Sequence, residues 1–219
     1  MSIDLSAFDP QLIAVGVPGL QVGARCGGGG QKAVWECSYL GESYALKILV
    51  ADPDSTERAK RELEIYRRCN SRYLPKLGPL PLSAHSVGTE VVLFYLEEMI
   101  TGSTLEQTAK PMLVANVVEM AKCVAAAIEE LWKNNFVHRD IKPANIMQKL
   151  NTLDSVLLDA GLALDAIGPS LTQTGGIVGT VGYLSPDQLQ MNKRDLDFRS
   201  DLFGLGICMY VCSTNQHPF

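Results

Sequence analysis

The sequence predicts an α+β fold, and three observations predict it. Short apolar runs with strand character recur through the first hundred residues, at 33–35, 44–49 and 91–96, separated by glycine and polar turns. One helical pattern, from Asp54 to about Cys69, stands among them. From Met112 onward the apolar spacing turns helical, first over an amphipathic stretch reaching about Asn135 and later over an apolar stretch at 200–212. With 219 residues the chain can bury a real core, as one large domain or two small lobes.

Composition excludes several classes. Hydrophobic residues at 47% and charged residues at 20% are ordinary for a soluble globular protein. A net charge of -5 gives no electrostatic reason to expect nucleic acid as a partner. The six cysteines (26, 37, 69, 123, 208, 212) form no C-x-x-C and no staple-like spacing, so free thiols in a reducing, cytoplasmic setting are expected. The apolar stretch 11–20 is broken by Gly16 and Pro18 and preceded by Asp4 and Asp9, unlike a signal peptide, and no stretch reaches transmembrane length. No membrane partner is expected.

In chain order, residues 1–24 read as a short lead-in that packs on the first lobe. Cys26-Gly27-Gly28-Gly29-Gly30-Gln31-Lys32-Ala33-Val34 follows. Glycines between two strands let backbone amides approach a phosphate, and they equally suit a loose hairpin turn. The next strand carries Ala45 and Lys47. Asp54, with Glu57 three residues later, predicts the helix start. On that helix Ala59, Leu63, Ile65, Tyr66 and Cys69 share one arc; Glu62 falls inside it and Glu64 nearly opposite. A carboxylate on a buried face needs a buried cation, so Glu62 is expected to pair with Lys47. The strand at 91–96 runs into Glu97, Glu98 and Ile100. The long helix is expected to bury Val114, Val117, Val118, Ala121, Val124, Ala125, Ile128, Leu131 and Trp132. A short hairpin, 145–147 with 155–158, leads to Asp159-Ala160-Gly161. The stretch 200–212 is apolar on every helical face and predicts burial on all sides.

Between the long helix and the hairpin lies His138-Arg139-Asp140-Ile141-Lys142-Pro143-Ala144-Asn145. In H-R-D-x-x-x-x-N an Asp can take a proton from an attacking hydroxyl while an Asn five residues on holds a divalent metal. The octet resembles the catalytic loop of protein kinases, and other motifs extend the likeness. Ala45-Leu46-Lys47-Ile48 is similar to V-A-I-K, and Asp159-Ala160-Gly161 to D-F-G with its aromatic lost. The segment from Gly179-Thr180 to Ser185-Pro186-Asp187 resembles G-T-x-x-Y-x-[AS]-P-E with Asp for Glu. Aligned on Val34, G-x-G-x-x-G-x-V finds Gly27 and Gly29 in place and Lys32 where the third glycine would stand.

The resemblance, closest to bacterial Ser/Thr kinases, implies a bilobal protein-kinase-like fold. Residues 1–98 would be a small β-rich lobe with one key helix, and 99–219 a mainly helical lobe lacking its last helices. It implies ATP and Mg²⁺ as cofactors and a protein hydroxyl as substrate. Gly27, Gly28, Gly29, Gly30, Lys32, Val34, Ala45, Lys47, Glu98, Ile100, Asn145 and Asp159 would bind nucleotide, and Asn145 and Asp159 the metal. Asp140 would be the base, Lys142 would stabilise the transferring phosphoryl group, and Glu62 would hold Lys47. Thr180 would touch Asp140 and Lys142, and Asp201 would anchor the loop's backbone. Glu97 would stand at the rear of the nucleotide pocket, where a charge is unusual. Ser170, Thr172 and Thr174 are candidate phosphate acceptors, with Arg139 as the docking guanidinium. A homodimer or a partner covering the shortened lobe is expected. A pseudokinase, acting as a nucleotide- or protein-binding module, and a small-molecule phosphotransferase of the aminoglycoside-kinase type remain the alternatives.

Overall fold

The computed structural model describes residues 3–28, 32–165, 179–190 and 196–219. Gly29, Gly30, Ser170, Thr172 and Thr174 lie outside the described residues. The elements in order are α1 (Gln11–Gly16), β1 (Leu20–Gly28), β2 (Lys32–Tyr39), β3 (Glu42–Val50), α2 (Pro53–Arg68), β4 (Ser83–Val87), β5 (Glu90–Glu98) and β6 (Gly102–Thr104). They continue with α3 (Val114–Lys133), β7 (Phe136–Val137), β8 (Ile146–Lys149), β9 (Ser155–Leu157), β10 (Leu164–Asp165), α4 (Pro186–Leu189) and α5 (Phe198–Thr214). The protein has the α+β composition of the expected fold.

Two compact units result: residues 1–60 with 76–99, and residues 61–75 with 100–219. The second half of α2 and the loop after it, expected in the first lobe, thus group with the second. Polar ties explain the shift. Arg68 donates to the Asn134 carbonyl at 2.9 Å, the Asn70 N–H to Glu130 at 2.8 Å, and the Leu157 N–H to the Tyr73 carbonyl at 2.9 Å.

In the first unit, among the described residues, five antiparallel strands form a sheet in the order β1-β2-β3-β5-β4. The period of two sorts its faces. Trp35, Leu46 and Leu96 lie in register across β2, β3 and β5, as do Ala33, Ile48 and Phe94, and all six belong to one buried cluster. Leu5 and Ile13, both fully buried, belong to that cluster, so the lead-in packs on this face as expected. Arg25 fastens it by donating to the carbonyls of Leu5 (3.1 Å) and Ser6 (3.0 Å). The opposite face carries Val34, Ala45, Lys47, Tyr95 and Glu97.

Helix α2 starts earlier than the Asp54 cap predicts. Asp52 accepts from the Ser55 N–H (2.9 Å) and hydroxyl (2.6 Å), because Pro53 suits the first helical turn, where its missing N–H leaves no bond unmade. The face assignment holds, with Glu62 buried and Glu64 exposed and paired to Arg68 at 3.3 Å.

In the second unit the buried stripe of α3 is Val117, Met120, Cys123, Val124, Ala127, Ile128 and Leu131. Val114 (74% exposed), Val118 and Trp132, expected inside, are open. Apolar residues cover much of this helix's circumference, so spacing alone leaves the seam's rotation undecided; packing against α5 fixes it. Strands β6, β8 and β9 form a small sheet, and β7 pairs with β10. Helix α5 buries Asp201, Gly204, Leu205, Ile207, Cys208 and Cys212 but leaves Leu202 and Tyr210 exposed, against the expectation of burial all round. All six cysteines are free thiols. Among the described residues no helix is long and apolar enough to cross a membrane.

Because Ile13 is fully enclosed by the sheet's core, Ile13→Ala should lower stability by about 2–5 kcal/mol in urea unfolding. A loss below about 0.5 kcal/mol would mean the lead-in is not part of that core.

Candidate active site

The loop after β7 is built around a buried carboxylate. Asp201, on α5, accepts the N–H of His138 and of Arg139, each at 2.8 Å. Burial raises its carboxyl above the ordinary range while these two N–H groups pull the other way. The clamp lets Arg139 adopt φ 70, a left-handed conformation costly for a side chain of its size. Gly204 allows the approach, since a Cβ there would stand 3.0 Å from both Cβ and O of Ile141. His138 Nδ1 accepts the Asp140 N–H at 3.3 Å, so Nε2 carries the proton and donates to the Leu158 carbonyl at 3.0 Å. The Leu158 N–H donates to the Asn145 carbonyl at 2.8 Å. Loop and hairpin are thereby stitched together one residue before Asp159, itself at φ 61.

Four expected residues converge within this unit. Asp140 Oδ1 accepts the Thr180 hydroxyl at 2.8 Å. Its Oδ2 meets Lys142 Nζ at 2.8 Å and accepts from Asn145 Nδ2 at 2.8 Å. Lys142 also donates to the Thr180 hydroxyl at 2.7 Å. Burial works to raise the Asp140 carboxyl, but Lys142 and Thr180 outweigh it and hold the group below the ordinary range. It is ionised at neutral pH. A carboxylate has about four lone-pair sites; these contacts engage three, which leaves one on Oδ1 for an incoming hydroxyl.

Arg139 is buried, and its Nη1 has no hydrogen-bond partner among the described residues. Burial, and then the nearby Arg61 guanidinium, pull its pKa down to about 10. Two cations near one another create a demand for an anion.

In the first unit, Gly27 and Gly28 end β1 opposite Val34 and Ala33. Gly28 has φ 91, and a Cβ there would lie 2.2 Å from the Lys32 carbonyl oxygen, so only glycine fits. Lys47 is ion-paired to Glu97 at 2.9 Å, a partner that spacing did not predict. Glu98 ends β5, its N–H donating to the Lys76 carbonyl at 2.7 Å. Glu62 and Ile100 belong to the second unit, where the Tyr66 hydroxyl donates to Glu62 at 2.9 Å.

A protein kinase domain model matches residues 20–219. The chain belongs to the protein kinase family. It is 30% identical over 215 residues to a probable serine/threonine-protein kinase, SCO3848, of Streptomyces coelicolor, covering 91% of this chain and 30% of that one. It is 28% identical over 200 residues to the serine/threonine-protein kinase PknD of Mycobacterium tuberculosis (88% and 29%). It is 31% identical over 216 residues to the probable serine/threonine-protein kinase PknB of Bifidobacterium longum (91% and 30%). This chain therefore spans about 30% of the length of these relatives.

Within this kinase domain one supporting residue escaped the motif reading. Gln188, buried, donates to the Arg139 carbonyl at 2.8 Å and completes a capping box with Ser185 at the start of α4. The S-x-x-Q spacing announces the cap, but nothing local announces the reach to Arg139. Gln188→Ala should cost about 1–3 kcal/mol in urea unfolding by orphaning a buried carbonyl; an unchanged midpoint would refute the support. For Asp140, whose folded pKa is depressed, the stabilising contribution is present above the unfolded value of about 3.9 and lost as pH falls through the lower folded value. The difference in unfolding free energy between the native protein and Asp140→Asn should therefore be constant above about pH 5 and change only in more acid solution.

Proposed function

We propose that this domain is an ATP-dependent serine/threonine protein kinase that transfers the γ-phosphate to a protein hydroxyl, with phosphorylation of its own activation segment as one outcome. The observation that carries the reading is the environment of Asp140: an ionised carboxylate that already accepts a hydroxyl at 2.8 Å beside an ammonium at 2.8 Å. A substrate hydroxyl placed like that of Thr180 would give its proton to Asp140 as its oxygen attacks, and Lys142 would balance charge on the transferred group.

Lys47 would hold the nucleotide's α- and β-phosphates, with Glu62 in support, and Gly27 to Gly30, Lys32, Val34, Ala45, Glu98 and Ile100 would line the nucleotide. Asn145 fits a metal role because its amide nitrogen is turned to Asp140, leaving the carbonyl oxygen as donor. With the Asp159 carboxylate it offers the hard oxygens that Mg²⁺ takes. Mg²⁺, when bound, supplies neutralising charge at the phosphate. Arg139 with Arg61 would receive a phosphate on Ser170, Thr172 or Thr174. The Lys142 position and the Gly179-Thr180 to Ser185-Pro186 segment, which resemble those of protein kinases and are lacking in kinases of the aminoglycoside type, support a protein hydroxyl over a small alcohol. The exposed Leu202 and Tyr210 on α5 are where a second copy or a partner would pack, and a cytoplasmic setting fits the free thiols.

Incubation with Mg²⁺ and [γ-³²P]ATP should label a Ser/Thr protein substrate and the segment 166–178 of the chain itself, and Asp140→Ala should lower the rate by about 10²–10⁴-fold. Equal labelling in the variant would reject the kinase reading; transfer to small alcohols alone would point to a small-molecule phosphotransferase; nucleotide binding without transfer would point to a pseudokinase.

A further inference from the structure

The face of the first unit's sheet opposite its apolar core carries two buried charges. Lys47 on β3 stands in register with Tyr95 on β5, and Ala45 with Glu97. Lys47 and Glu97 are therefore diagonal neighbours across one strand pair, a spacing that long side chains bridge. Lys47 Nζ lies 2.9 Å from Glu97 Oε2 and 5.8 Å from the centroid of the Tyr95 ring, whose electron-rich face also favours a cation. The two side chains are 2% and 6% exposed. A charge buried alone is costly, and each of these groups supplies the counter-charge the other lacks.

The placement differs in kind from support by a helix. Strands β3 and β5 are joined by a continuous ladder from Tyr44–Glu98 to Val50–Val92, so the Lys47–Glu97 geometry is set by one rigid sheet. Glu62, the carboxylate that buried-face logic assigns to Lys47, belongs to the other compact unit. An ammonium has three N–H donors, so engagement by Glu97 is compatible with a helix carboxylate and a phosphate oxygen on the same nitrogen. From the Ala45–Glu97 register position a glutamate side chain is long enough to span the diagonal to Lys47.

We propose that Glu97 is a positioning residue of the phosphoryl-transfer site, fixing the Lys47 ammonium from within the sheet. The proposal rests on the kinase reading for its consequence in catalysis, and on the ion pair alone for its consequence in Lys47 chemistry. A nucleotide phosphate must share the ammonium with Glu97, so the pair orients Lys47 while holding nucleotide affinity down. Removing the carboxylate loosens orientation without weakening binding, because a bound triphosphate then supplies the counter-charge that keeps the Lys47 amine protonated.

Two measurements test this on the full chain, comparing Glu97→Gln, Glu97→Asp and Glu62→Gln, with thermal unfolding to establish folding. The first is acylation of Lys47 by acetic anhydride in nucleotide-free protein, read by mass spectrometry of the Lys47 peptide. Without its counter-charge more of the buried amine is neutral, so Glu97→Gln should raise the rate about tenfold or more, and Glu62→Gln should raise it less. Glu97→Asp, with its carboxylate pulled back, should fall between the native protein and Glu97→Gln, and it carries the measurement if Glu97→Gln does not fold. The second is the ATP dependence of phosphorylation, where Glu97→Gln should lower kcat about tenfold without raising KM for ATP. Unchanged Lys47 acylation in the Glu97 variants, or a larger response to Glu62→Gln, would overturn the proposal. A raised KM with intact kcat would also overturn it, since that signals lost binding in place of lost positioning. Because acylation needs neither ATP nor turnover, a chain that never transfers phosphate would reject the kinase reading and leave the acylation result to decide the role of Glu97.

Discussion

The second unit depends on one buried carboxylate. Asp201 takes two consecutive backbone N–H groups, and those bonds bend the chain so that Arg139 sits in left-handed space while Asp140 turns toward Lys142, Asn145 and Thr180. A turn with this conformation would otherwise relax to satisfy its own amides, because buried N–H groups without partners are costly. Gly204 brings α5 close enough for the bonds to form, and Gln188 closes the other side by donating to the Arg139 carbonyl. Two separate stretches of sequence, α4 and α5, thus immobilise one loop.

On that platform the electrostatics follow from contact geometry. Asp140 is buried enough for desolvation to favour its neutral form, yet Lys142 and Thr180 keep it ionised. Arg139 faces the reverse situation: burial and a second guanidinium, with its Nη1 left without a hydrogen bond among the described residues. One group has its charge met by close partners, while the other keeps a buried donor without a hydrogen bond among the described residues. The cysteines stand outside both roles, since burial pushes the Cys37 and Cys69 thiols up to about 11 and away from reactive thiolate.

The first unit shows how a segment outside a family pattern can still be structural. The kinase model begins at residue 20, but Leu5 and Ile13 belong to the same buried cluster as Trp35 and Leu96. The apolar face of the sheet needs a cover, and the lead-in supplies it. With that face sealed, the other is left to carry Val34, Ala45, Lys47, Tyr95 and Glu97.

Much of this was written in the chain. The H-R-D-x-x-x-x-N octet put Asp140, Lys142 and Asn145 together, because a spacing of five residues in a tight loop keeps them close; that Thr180 and Asp201 join them was implied by the family resemblance alone. Period-two and period-3.6 patterns located β2, β3, β5 and the β8–β9 hairpin, though not β1 or β4, and put Glu62 inside and Glu64 outside α2. Three things needed the folded molecule. The seam of α3 was ambiguous, since apolar residues such as Val114 and Val118 surround it and only packing against α5 selects one side. The cap of α2 moved to Asp52, where Pro53 makes the earlier start possible. The Lys47–Glu97 pair was invisible, because a diagonal across two strands fifty residues apart depends on register, and register is set by the whole sheet, not by either strand.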